Sequence, residues 1–289
     1  MNYDGDIIRP PSEANSIILQ VTVGCSHNHC TFCGAYKDKK FRIRSDEEVI
    51  DNISFAARHY GEQKRVFLAD GDVLILSQKR LLALFKLIKQ HLPHVNRIAL
   101  YGNAKAIRGK SVAELKELKG LGLHRIYMGL ESGDNAVLAA VKKGETDKSM
   151  IAAARIAKKA GVFLSVTVLL GLGGARDSLR HARETSRVLS LMEPKQIAAL
   201  CLMPLANTEL GAQYQNGNFE LPSATGMLLE LQELLLNIRC DPVQFMANHA
   251  SNYLPLSGRL PRDREAMLEK IKMALLGKRS LVPERFRAL

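Results

Sequence analysis

Apolar and polar positions along this chain alternate between two rhythms. Six short runs rich in β-branched residues read as strands: Ile18–Val23, Arg65–Leu68, Arg97–Tyr101, Arg125–Leu130, Phe163–Leu170 and Gln196–Leu202. Between them lie segments with apolar residues at three-to-four spacing, over 45–60, 78–91, 111–122, 148–161 and 178–192. The first of these opens with Ser45 and carries Glu48 three residues on, a capping-box signature. Two end at a glycine, a common helix stop. Strand, helix and strand recurring every 30 residues or so (~30) predict right-handed βαβ units on a parallel sheet.

Six such units exceed a half barrel and fall short of the eight of a closed one. The predicted fold class is α/β, a partial (β/α)6 TIM-type barrel over residues 17–205. A doubly wound sheet is the competing arrangement. Residues 1–16 read as a lead-in. Beyond 205 the rhythm changes. Residues 223–240 form a strong amphipathic pattern, 246–263 are irregular and polar, and 263–277 predict a last helix. Residues 206–289 are therefore expected to be a mainly helical extension covering the barrel.

In either arrangement the C-terminal ends of the strands carry the chemistry. Polar and glycine-rich residues follow nearly every predicted strand. They include Asp70-Gly71-Asp72, Gly102-Asn103, Glu131-Ser132-Gly133 and Gly171-Leu172-Gly173-Gly174. The first strand runs into CSHNHCTFC, which holds three of the five cysteines, Cys25, Cys30 and Cys33. A structural zinc site closes with four ligands. The fourth here would have to be Cys201, Cys240 or a histidine, and His27 and His29 sit too close in sequence to close a tetrahedron easily. Three thiolates can instead hold three irons of a [4Fe–4S] cluster and leave one iron open. Spacing alone leaves cluster, zinc and no metal all standing.

Composition narrows the setting. An apolar content of 46% supports a real core, and five cysteines in a chain of 289 residues do not read as a disulfide framework. No apolar run approaches a membrane span, and MNYDGDIIRPPSEANS lacks a secretory pattern, so no membrane contact and a cytoplasmic location are expected. The net charge of +12 favours acidic partners, densest at 37–44 and 275–287, although a solvated basic surface would look the same.

Together these motifs resemble the radical S-adenosylmethionine (SAM) superfamily over about residues 17–205. The likeness is strongest to the branch with oxygen-independent coproporphyrinogen oxidases, methylthiotransferases and the Elongator catalytic subunit. That family spaces its cysteines by three and then two residues. Here the first gap is four, Ser26 to His29. The resemblance implies one [4Fe–4S] cluster on Cys25, Cys30 and Cys33. It implies SAM held at Asp70, Gly71 and Asp72 through its amino group, and at Asn103. Glu131 and Ser132 match positions that touch the ribose or amino-acid moiety. Leu170 and Gly171 lie in the segment that packs beside adenine, Phe32 matches the apolar adenine contact, and Arg176 is a candidate partner for the SAM carboxylate.

The implied activity is reductive cleavage of SAM to a 5′-deoxyadenosyl radical that abstracts hydrogen from a small-molecule substrate. Tyr101, Met203, Cys240, His249, Asn252 and Tyr253 are the candidate catalytic or substrate residues. An acidic electron donor, flavodoxin or ferredoxin, would be steered by Lys37, Lys39, Lys40, Arg42 and Arg44. Two alternatives stay open: an enzyme of the same family that modifies tRNA or rRNA, and a non-catalytic zinc or iron–sulfur binding module.

Overall fold

The structure, a computed structural model, describes residues 1–240 and 242–288. Its strands are β1 (Ile17–Gln20), β2 (Thr22–Val23), β3 (Arg42–Ile43), β4 (Arg65–Ala69), β5 (Arg97–Tyr101), β6 (Leu123–Glu131), β7 (Phe163–Leu170), β8 (Gln196–Cys201), β9 (Val243–Ala247) and β10 (Leu256–Leu260). Its helices are α1 (Asp46–Tyr60), α2 (Gln78–His91), α3 (Ala104–Arg108), α4 (Val112–Gly120), α5 (Asn135–Ala140), α6 (Asp147–Lys159), α7 (Gly174–Met192), α8 (Glu209–Gln215), α9 (Ala224–Asn237) and α10 (Arg264–Leu275). The main sheet has eight strands in the order β1-β4-β5-β6-β7-β8-β9-β10. The β1/β4, β4/β5, β5/β6, β7/β8 and β8/β9 pairs are parallel, and β9/β10 is antiparallel. This mixed α/β architecture is consistent with the expected partial TIM-type fold. Among the described residues no helix is long and apolar enough to cross a membrane.

The chain divides into two compact units. The first comprises Met1–Asn28, Ala35–Met128 and Arg155–Leu164. Its strands β4 and β5 are buried on both faces, as covered parallel strands are, with Val66, Phe67, Leu68, Ile98 and Leu100 fully enclosed. Ile53, Leu81, Phe85 and Ile88 come from the apolar stripes of α1 and α2. The Ser45 hydroxyl accepts from Glu48 N–H while the Glu48 carboxylate accepts from Ser45 N–H, so the predicted capping box starts α1. The first apolar run divides at Val21, where the chain changes partners. Before it, β1 lies beside β4; after it, β2 pairs antiparallel with β3. Val21 itself donates to Ala69 and accepts from Arg44.

The second unit comprises His29–Gly34, Gly129–Ala154 and the chain from Ser165 onward. Val137, Val141, Leu172, Leu202 and Leu210 form a buried cluster, with Phe32, Leu169, Phe219 and Leu221 packed on it. Helix α7 starts at Gly174, four residues ahead of the expected 178. No side chain caps it, so the sequence carries no N-cap signal. The stretch 246–263 is also corrected. It was expected to be irregular, yet β9 and β10 extend the main sheet. Strand β10, LSGRL, buries only its two end residues. An antiparallel edge strand with Gly and Arg at its centre leaves no apolar alternation to read.

Candidate functional site

Chemistry-bearing residues occur in both units. The cysteine loop follows β2; Cys25 belongs to the first unit, and Cys30 and Cys33 to the second. Cys25, Cys30 and Cys33 are partly buried, whereas Cys201 and Cys240 are buried. Asn28 shows how the longer loop is accommodated. It sits in the left-handed region at φ 41°, which asparagine tolerates better than most residues. Its Nδ2 donates to the carbonyls of Tyr36 (2.7 Å) and Lys39 (3.4 Å), and its own carbonyl accepts from Lys37 Nζ at 3.1 Å.

The two carboxylates after β4 have different fates. Asp70 is fully buried and supplied with donors. Gln20 Nε2 donates to Oδ2 at 2.9 Å and Tyr36 Oη to Oδ1 at 3.4 Å, while Asp70 N–H donates to Thr22. Burial raises its carboxyl above the usual range. Asp70 is thus a brace between strands. Asp72 is equally buried, but only one of its oxygens is used. Oδ2 accepts from Ser26 Oγ at 2.6 Å and Asn103 Nδ2 at 2.7 Å, whereas Oδ1 is buried with no hydrogen-bond partner. Burial pushes its carboxyl up to about 6, against the opposing hydrogen bonds and the nearby Lys110. Gly71 lies between the two carboxylates. A Cβ there would stand 3.0 Å from the Tyr36 ring and 3.2 Å from Cys25 Cβ, so the close approach requires glycine.

Asn103 is both a helix cap and a strut. Its Oδ1 accepts from Ala106 N–H at 2.8 Å while Nδ2 holds Asp72 and Ser26. Tyr101 packs edge-on against Phe67 and Tyr127, with ring centroids 5.1 and 6.0 Å away, and burial raises its phenol well above the usual value. The polar partners in this part of the unit belong to Tyr127, which the sequence reading missed. Its hydroxyl meets Glu13, Ser12 (2.7 Å) and Arg125 (3.0 Å), and burial pushes it up to about 12. Glu13 lies more than a hundred residues away along the chain, so only the fold reveals the pair. Ser26 was also missed, although its place beside Cys25 was a signal.

In the second unit, Thr31 N–H donates to Val141 O, and Thr31 O accepts from Leu210 N–H. This seats Phe32 half-buried against the apolar cluster. Glu131 ends β6 at φ 64°, a strained conformation for a residue with a side chain, and pairs with Lys143 at 3.0 Å. Ser132 is buried and its Oγ accepts from Asp134 N–H at 3.0 Å. Leu170 is buried, and its carbonyl accepts from Leu202 N–H. Gly171 takes φ 85° and donates to Glu230 Oε1 at 2.8 Å.

Several candidate substrate residues serve as fasteners. Asn252 is buried, donating to Ala199 O at 3.0 Å and accepting from Cys201 Sγ at 3.3 Å; burial pushes that thiol up to about 11. Tyr253 donates to Glu284 at 2.8 Å beneath the Arg287 guanidinium, 3.7 Å from its ring centre. His249 Nδ1 accepts from Ser251 N–H at 3.1 Å, and burial lowers its affinity for a second proton. Met203 is partly buried, Cys240 is buried and Arg176 is exposed.

Residues 19–185 match the radical SAM superfamily, more than half of the chain. The chain belongs to this superfamily. The cofactors of this superfamily are a [4Fe–4S] cluster and SAM. An uncharacterized methyltransferase of Pyrococcus horikoshii is 28% identical over 53% of the chain. The chain spans about a third or less of the length of the curated relatives it matches, 32% and 27%. Among solved structures, coproporphyrinogen III oxidase from Escherichia coli aligns at a TM-score of 0.57 and 17% identity, over 76% of this chain and 51% of that one. Elp3 from Methanocaldococcus infernus aligns at 0.53 and 14%, over 92% and 64%. Both share the fold of this chain.

The residues present fit these cofactors. Three soft thiols on one loop are the donor set for three irons of a cluster. The orphaned Asp72 Oδ1 is an acceptor in want of a donor, such as an ammonium group. The basic run needs one correction: Arg44 is buried with its guanidinium on Glu48, so it is no part of a docking face.

Proposed function

We propose that Cys25, Cys30 and Cys33 hold the cluster, and that the enzyme cleaves SAM reductively and abstracts hydrogen from a small-molecule substrate. The observation that carries this reading is Asp72. A buried carboxylate is tied through Ser26 to the cysteine loop, with one oxygen unsatisfied. In its ionised form it would accept the SAM ammonium group in a charge-assisted hydrogen bond. Asn103 holds that carboxylate in place, and Gly71 lets the backbone close on Cys25. By the resemblance alone, Glu131, Ser132, Leu170, Gly171 and Phe32 match positions that contact SAM in the superfamily. A cluster held by these three thiols would supply the electron for reductive cleavage of SAM.

The test is anaerobic. Protein reconstituted with iron and sulfide is reduced with dithionite, given SAM, and assayed for 5′-deoxyadenosine. Wild type is expected to form it and Cys30→Ala to lose it. Protein that takes up zinc and never forms deoxyadenosine would falsify the reading. A second reading, modification of RNA, is favoured by the net charge of +12. Copurifying nucleic acid whose affinity falls steeply with salt would support it.

A further inference from the structure

The turn after β7 is held by a residue some sixty positions downstream. Glu230, on α9, is fully buried, and three donors converge on its carboxylate. Gly171 N–H reaches Oε1 at 2.8 Å, His181 Nδ1 reaches the same oxygen at 2.9 Å, and Ser178 Oγ donates to Oε2. His181 is itself buried, and its Nε2 has no partner. A proton on Nε2 would be a buried orphan donor, so the ring carries its proton on Nδ1 and gives it to Glu230. One helical turn before Glu230 on α9, Met227 presses on the same glycine. A Cβ at Gly171 would stand 2.2 Å from the Met227 methyl. Gly171 has φ 85°, so nothing in its own preferences selects this turn over its alternatives.

We propose that Glu230 is a positioning residue for SAM: by gripping Gly171 N–H and the first turns of α7 it fixes the backbone that receives the adenosyl moiety. This rests on the proposed reading, in which Leu170 and Gly171, by resemblance, contact SAM. A buried carboxylate survives only while every donor stays on it, so the three bonds fix the turn, α7 and α9 as one arrangement. A glutamine in its place would keep the volume but present an amide NH2 to one of the three donors.

The experiment compares SAM affinity, melting temperature and steady-state kinetics for reconstituted wild type, Glu230→Gln and Asp72→Asn. Glu230→Gln is expected to raise the SAM Kd and KM about tenfold while kcat at saturating SAM stays within about twofold, because misplacing a held ligand weakens its capture first. A brace with a purely structural role would lower the melting temperature and leave the Kd of folded protein unchanged. That outcome overturns the proposal. If Glu230→Gln fails to fold, Ser178→Ala is read instead, with a rise of about threefold supporting the proposal and none opposing it. Deoxyadenosine formation separates the two readings. Its absence from a wild type whose SAM affinity still depends on Glu230 sinks the radical chemistry and keeps the positioning role. A normal yield with unshifted affinity does the reverse. Asp72→Asn binding SAM as wild type does would remove Asp72 from the site without touching Glu230.

Discussion

If Asp72 holds the SAM ammonium group as proposed, its burial bears on ligand capture through its charge. Its carboxyl is raised by burial from 3.8 to about 6, so the ligand-free fold favours the protonated form. The stability this contributes is full below pH 3.8 and is lost as pH rises through about 6. The SAM ammonium group needs the ionised form, so affinity runs the other way. Between about pH 5 and about pH 8 the SAM Kd of wild type should fall, most steeply near the Asp72 pKa, while Asp72→Asn should be weak and flat. A wild-type Kd that ignores pH removes Asp72 as the ammonium partner. Asn28 carries a second residue-scale prediction. Asn28→Ala loses two side-chain hydrogen bonds and strains a backbone at φ 41°, so it should cost about 2 kcal/mol and lower the iron bound after reconstitution. Asn28→Gly, which keeps the backbone but not the anchor, should fall between it and wild type by iron assay. The cysteine loop and Asp70-Gly71-Asp72 were legible in the sequence because each is contiguous. The division of labour between the two aspartates was not. It depends on Gln20, Tyr36 and Ser26, which only the fold brings to them.

At the scale of elements, the turn after β6 meets the backbone of α7 at Gly133. A Cβ there would lie 2.3 Å from the carbonyl oxygen of Glu184 and 2.7 Å from Thr185 Cα, where neither neighbour is a flexible side chain. Gly133→Ala should therefore cost about 3 kcal/mol or more in urea unfolding, since the helix itself must move. Ser45→Ala, which removes only the α1 cap, should cost about 1 kcal/mol. Equal losses for the two would mean that α7 can shift without penalty. The long β-branched runs announced β4 to β8 because strands buried on both faces have no other composition open to them. The two strands past residue 240 did not announce themselves. Val243–Ala247 alternates buried and half-buried positions over only five residues, and Leu256–Leu260 offers an apolar residue only at its ends. The Glu230 grip was invisible for a related reason. A glutamate inside an amphipathic run reads as a solvent-facing residue until its helix is docked.

At the scale of the whole molecule, the net charge of +12 must be separated from the local run that was expected to dock an electron donor. Arg44 is buried, and Arg42 is shared between Asp4 at 2.8 Å and Glu48 at 3.1 Å. Lys37 and Lys39 spend their ammonium groups on the carbonyls of Asn28 and Asp6. Lys40 is exposed. Most of this run is therefore spent on contacts within the protein, so the proposed attraction of an acidic donor would rest on the summed field more than on a fork of contacts. Such attraction acts on association and is screened within about 10 Å at 0.1 M salt. Reduction by flavodoxin should slow as ionic strength rises. Lys40→Glu should lower its rate about threefold at low salt and converge on wild type at high salt. Arg44→Gln should leave that rate alone and lower the melting temperature, since it strips a buried guanidinium from Glu48 and Gln20. A large rate loss in Arg44→Gln with no loss of stability would restore the local docking face. Salt-independent reduction alongside salt-sensitive binding of RNA would instead assign the positive field to a nucleic-acid substrate.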